Sequence, residues 1–127
     1  MREMTGVNEV KAILLRLLEV DNPADAACRV ALQEGAIASL PGEAVAISSL
    51  VPIYSRRLDH LRSKGTRFIG GDAIDRLRNS GADEVLITSV HGARDTFVVF
   101  ITPDKTAVAG CVGIDSAVAN QDFTWPG

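Results

Sequence analysis

The segment between residues 84 and 115 constrains this chain most. Three apolar stretches, 84–90, 96–102 and 106–115, are joined by the short polar links HGARD and PDK. Links this short join antiparallel neighbours, so the sequence predicts a three-strand meander. The middle stretch contains Phe97-Val98-Val99-Phe100-Ile101, which is apolar at every position. A strand without polar alternation needs cover on both faces. Either helices of the same chain straddle the sheet, or a second copy covers one face. Along 106–115, alternation places Val108, Val112 and Ile114 on one face. Ala107, Ala109, Cys111 and Gly113 form a row of small residues on the other. That row either admits a closely packed neighbour or leaves a cavity between the helices and this strand.

The N-terminal half reads as helices. Val7, Val10, Leu14 and Leu17 recur at helical spacing and predict a helix over 6–20. Asn22-Pro23 is a helix start, with Asn as cap and Pro at the first helical position. The Ala-rich helix that follows runs to Glu34, with Gly35 as its C-cap. Residues 36–49 read either as a hairpin around Pro41-Gly42 or as helix; the hairpin is favoured and would bring the sheet to five strands. A further helix is expected over 52–64, opened by Pro52 and closed by Gly65. After a short extended piece at 66–69, Gly70-Gly71 precedes a helix over 73–79, capped by Asp72 and ended by Gly81. The fold class is α+β: N-terminal helices on an antiparallel sheet built around the C-terminal meander. The 127 residues suit one domain, with 116–127 as a tail.

The net charge of −3 and sequence pI near 5.3 argue against nucleic acid as a partner. No apolar run reaches the roughly 18 residues of a membrane span, and the N-terminus lacks a signal-peptide pattern, so the reading is cytoplasmic. Mean hydropathy is positive, at +0.16, which favours self-association.

Candidate chemistry is sparse. Gly70 and Gly71 before a helix can present free amides to a phosphate, with Arg67 close in sequence; a plain tight turn explains them as well. Arg56, Arg57, Arg62 and Lys64 belong to a basic run over 55–67 with net charge +4, leaving −7 for the remainder. It reads as an anionic-partner surface or as a solvated helix face. His91 and Arg94 share one hairpin link with Asp95, and Ser89 falls on the same side of its strand as His91. This is a solvent-facing turn with a glycine hinge that lacks a committed nucleophile. Cys111, mid-strand, reads as a buried small hydrophobe or the wall of a ligand pocket. Two cysteines and two histidines give no metal-ligand spacing, and no catalytic set or cofactor motif is present. Phe123 and Trp125 in the tail can dock a protein partner.

The order helix, hairpin, helices, three-strand meander resembles the Roadblock/LC7 group of small dimeric regulators. The resemblance lies in topology and implies a regulatory homodimer. The sequence-based expectation is therefore a small non-enzymatic interaction or regulatory module that acts as a homodimer. The alternative is a small-ligand binder or minor enzyme with its pocket against the 107–113 strand.

Overall fold

The computed structural model describes residues 6–66, 68–69 and 72–118. The element order is α1 (Val7–Leu17), α2 (Pro23–Glu34), β1 (Ala36–Ser39), β2 (Val45–Ala46), α3 (Ile47–Ser63), β3 (Phe68–Ile69), α4 (Ala73–Asn79), β4 (Glu84–His91), β5 (Asp95–Ile101) and β6 (Val108–Asp115). A helical turn follows at 116–118. The fold is α+β. One antiparallel sheet runs in the order β1-β4-β5-β6-β3, and β2 joins it by pairing with the start of β4. The meander predicted from sequence is its centre.

Both faces of the sheet are covered from within the chain. Helices α1 and α2 set Val10, Leu14, Cys28 and Leu32 against Val90, Phe97, Val99 and Ile101. Helices α3 and α4 set Leu50, Tyr54, Leu58 and Leu77 against Val85, Ile87, Val98 and Phe100. Strand β5 contributes alternately to the two clusters, which explains why none of its core positions is polar. Between these alternatives the helices straddle the sheet, so a second copy is not required to cover it. Tyr54 packs edge-on to Phe100, with ring centroids 5.1 Å apart and planes at 87°. Burial raises the Tyr54 pKa, against a smaller lowering by Arg57.

Three local expectations are corrected. The 36–49 segment does form two strands, but they do not pair with each other as a hairpin. Each pairs with β4, β1 at its end and β2 at its beginning. Helix α3 starts at Ile47, five residues before Pro52. Ile47 and Leu50 are buried there, and Asp83 O accepts the Ile47 N–H at 2.9 Å, so tertiary contacts hold the first turn ahead of the proline. The third change is a bulge in β6. Phe100 pairs with Gly110 and Ile101 with Val108, so Ala109 is the extra residue. A bulge inverts the alternation upstream of it. Val108 thus joins the α1/α2 side and Ala109 the α3/α4 side. The expected row of four small residues on one face does not exist. At Gly113 a Cβ would strike the Phe97 ring, so the small side chain admits an aromatic neighbour rather than a ligand.

The turns obey local rules more closely. Asn22 Oδ1 accepts from the amides of Ala24 and Asp25 at 3.0 and 3.2 Å, the expected N-cap. Gly65 and Gly81 adopt positive φ at the ends of α3 and α4. Asp72 holds the N-cap position of α4 without a side-chain cap bond. Gly35 follows α2, but with φ −122° its role is spatial. A Cβ there would collide with the His91 carbonyl oxygen, because the end of α2 lies directly on the end of β4. Gly35→Ala is therefore expected to lower the unfolding free energy by about 2 kcal/mol or more, the range of overpacked sites. Urea denaturation measures this, and a loss below about 0.5 kcal/mol would mean that the two backbones do not touch.

Candidate functional site

The most organised polar site is buried. Asp25, at the third position of α2, has no exposed surface. Its carboxylate accepts the Arg76 guanidinium at 2.8 Å through Oδ1 and the Glu19 amide at 3.1 Å through Oδ2. Arg76 also donates to the Val108 carbonyl at 3.3 Å and lies 4.0 Å from the exposed Glu19 carboxylate. Arg76 belongs to α4 and Asp25 to α2, which pack on opposite faces of the sheet. The bond thus joins the two helix layers beside the outer edge of β6. That edge pairs with β3 only at Gly113 and Ile114, among the described residues. Burial opposes the Arg76 charge, but the hydrogen bond and charge of Asp25, with Asp72 and Glu19 behind it, raise its pKa above the ordinary value.

Two thiols sit beside this pair. Cys28, one turn along α2 from Ala24, and Cys111, in the middle of β6, are both free and fully buried. Cys111 Sγ lies 4.0 Å from Ala24 O, and Cys28 belongs to the same buried cluster. That neighbouring thiol, followed by burial, pushes the Cys111 pKa well above the usual thiol range. The pocket-wall reading of Cys111 is replaced by close packing against α2. Among the described residues no group of three His, Cys, Asp or Glu side chains is placed to hold a metal ion.

Two surface clefts stand out among the described residues. One, of about 320 Å³, lies between α2 and the β4–β5 turn. Ala27, Val30, Ile69 and Phe97 form its apolar wall, and Glu34, Arg94 and Asp95 its polar rim. The other, of about 760 Å³, opens at the start of α3 between Ser48, Pro52, Arg78 and Glu84.

The sequence candidates scatter. Arg94 is exposed at the rim of the smaller cleft. His91 is exposed at the end of β4, and its Nδ1 lies 3.1 Å from Thr96 Oγ1, which in turn meets Ser116 Oγ at 2.8 Å. Thr96, not Ser89, is its partner, because the two stand opposite in the β4–β5 ladder. Gly92 is no hinge; it is buried against Ala31. Cys111 is in the core, so among the described ligand candidates it does not meet His91 or Arg94. Arg67, Gly70 and Gly71 lie outside the described residues, as do Phe123 and Trp125. Arg56, Arg57, Arg62 and Lys64 are all exposed on or just beyond α3, as a solvated face requires. Arg62 is 3.5 Å from Asp59 and its guanidinium carbon stands 5.1 Å from the Phe68 ring centre.

Sequence reasoning missed the Asp25–Arg76 pair. Asp25 reads locally as a dipole-compensating residue in the first helical turn, and nothing within one turn of it names a partner 51 residues away. No protein family, curated protein or solved structure matches this chain. The likeness to Roadblock/LC7 proteins therefore rests on element order alone.

Two outcomes are expected. Asp25→Ala leaves the Arg76 charge without its partner in a partly buried site and should cost about 3–5 kcal/mol, read by denaturant unfolding. A loss under about 1 kcal/mol would show that water satisfies Arg76 equally well. The raised Cys111 pKa gives a pH signature. The folded chain holds the thiol proton where the unfolded chain, with an ordinary thiol pKa near 8.5, releases it. The stabilisation is complete below about pH 8.5 and fades as pH rises through the folded value. Unfolding free energy should thus fall by up to about 1.4 kcal/mol per pH unit between about pH 8.5 and 10. Cys111→Ala should flatten that segment, whereas an unchanged slope would refute the assignment.

Proposed function

We propose that this chain is a small non-enzymatic interaction module that works as a homodimer joined at a sheet edge. One observation carries the reading: β1 is one of the two end strands of the sheet, it pairs on one side with β4, and no other strand meets its outer edge among the described residues. An unpaired edge is a template for another strand. Proteins that avoid such pairing place Lys, Pro or inward charges on the edge. Ala36-Ile37-Ala38-Ser39 carries none of these, its register against β4 shifts between Ile37 and Ser39, and the next residue, Leu40, is 43% exposed before Pro41. Two copies related by a twofold axis would extend one sheet into the other. The positive mean hydropathy favours the same reading. The internally covered faces move the proposed contact from the sheet face, where sequence put it, to the edge.

The test is sedimentation equilibrium from about 1 to 100 µM, a range that resolves weak and moderate dimers. A species near twice 13.5 kDa is expected. Ala38→Lys with Leu40→Lys should weaken the association at least tenfold, about 1.4 kcal/mol, without changing the monomer's melting temperature. A monomer throughout, or a dimer indifferent to both substitutions, contradicts the reading.

A second reading is favoured by the smaller cleft. Its volume lies at the lower end of small-molecule sites, and Arg94 stands at its rim. With the carboxylates of Glu34 and Asp95 beside Arg94, it suits a small apolar amine. Saturable thermal stabilisation by aliphatic amines, lost in Glu34→Gln, would support it over the dimer.

A further inference from the structure

Cys28 and Cys111 are buried thiols that the proposed function does not use. They come from separate layers: Cys28 from α2 and Cys111 from the centre of β6. Their contact is fixed from both sides. Ala24 and Cys28 stand one helical turn apart on the face of α2 that meets β6, and Cys111 Sγ approaches the Ala24 carbonyl. Both thiols belong to the same buried apolar cluster. Around them are Ala31, Leu32 and Val99, with no competing sulfur, since these are the chain's only two cysteines. A thiol that reaches the carbonyl one helical turn before the other cysteine needs only side-chain rotation to meet it, provided the strand and helix stay in place.

We propose that Cys28 and Cys111 form an internal redox pair, which a small-molecule disulfide such as oxidised glutathione converts to a disulfide that staples α2 to β6. The chemistry balances as two exchanges. One protein thiol loses its proton and attacks the glutathione disulfide, which forms a mixed disulfide and releases one glutathione thiolate. The second protein thiol, deprotonated in turn, attacks the protein sulfur of that mixed disulfide and releases the second glutathione. The protein loses two electrons and two protons, and one glutathione disulfide becomes two glutathione thiols. Burial and the high pKa of Cys111 keep the thiolate scarce in the closed state. Exchange therefore proceeds through local opening of α2 and is slow in the native protein. The product closes a loop spanning residues 28–111, a long loop for which a crosslink restricts the unfolded chain strongly.

The experiment refolds the reduced, unfolded full-length chain in a glutathione redox buffer, so that native burial does not limit access. The product is alkylated under denaturing conditions and digested with trypsin. The expected result is a linked pair of peptides, 17–29 and 106–127, with no alkylated cysteine. The oxidised monomer should melt roughly 10 °C or more above the reduced one, reversibly with a phosphine reductant. Cys28→Ser and Cys111→Ser should each abolish the shift. Two free or glutathione-capped cysteines, a crosslink between chains, or a linked product that melts below the reduced form would each overturn the proposal. Native reduced protein incubated with oxidised glutathione supplies the second readout. Its oxidation should quicken in Asp25→Asn, which loosens α2; a rate unaffected by that change would contradict oxidation through opening of α2.

Discussion

The structure depends on how one arginine closes the edge of β6. The upper part of that strand, from Val108 to Val112, has no neighbouring strand on its outer side among the described residues. Helices lie on both faces, and nothing in a sheet's own hydrogen bonding ties two such layers together. Arg76 does this from α4. It donates to the Val108 carbonyl on the strand itself and to the Asp25 carboxylate on the far layer. Asp25 in turn receives the Glu19 amide, so the α1–α2 connection is fixed by the same carboxylate. A buried pair of this kind adds little net energy over an apolar replacement, but it is costly to break on one side. Its effect is positional: α1, α2, α4 and β6 share one reference point.

The thiols gain their geometry from that reference point. Asp25 and Cys28 are one turn apart on α2, and Val108 and Cys111 are on the same strand. Fixing Asp25 to the guanidinium that holds Val108 therefore sets the height of Cys28 over Cys111. The layers also decide where association can occur. With Phe97 and Phe100 of β5 turned to opposite, fully covered faces, a partner has no sheet face to meet. Among the described residues, the outer edge of β1 and the basic surface of α3 are open.

Much of this fold was legible from the residues. The three meander strands, the Asn22 cap and the Gly65 and Gly81 stops all follow from local chemistry, because each signal lies within a few positions of its effect. The errors share a cause. Pro52 is a local start signal, yet α3 begins earlier because Ile47 and Leu50 fill the core beneath the sheet. Ala36–Ser39 and Val45–Ala46 are strands, yet they pair with β4 instead of each other, a choice made by a segment roughly 40 to 55 residues later. The β6 bulge moves Val108 across the sheet, and a row of small residues becomes two unrelated packing sites. Of the site candidates, Arg94 reached a cleft and the α3 cations stayed exposed, while Cys111 joined the core. The Asp25–Arg76 contact was invisible because complementarity between distant residues leaves no trace in spacing.

The measurement closest to the centre of this account is a double-mutant cycle on Asp25→Asn and Arg76→Met, each variant unfolded in urea at neutral pH. Neighbours sharing a buried hydrogen bond couple, whereas independent sites add within about 0.5 kcal/mol. The account predicts a coupling energy of about 2 kcal/mol or more, with the double variant recovering much of the stability lost in either single one. Additive losses would show that the two side chains act separately, and that the layers are held by apolar packing alone.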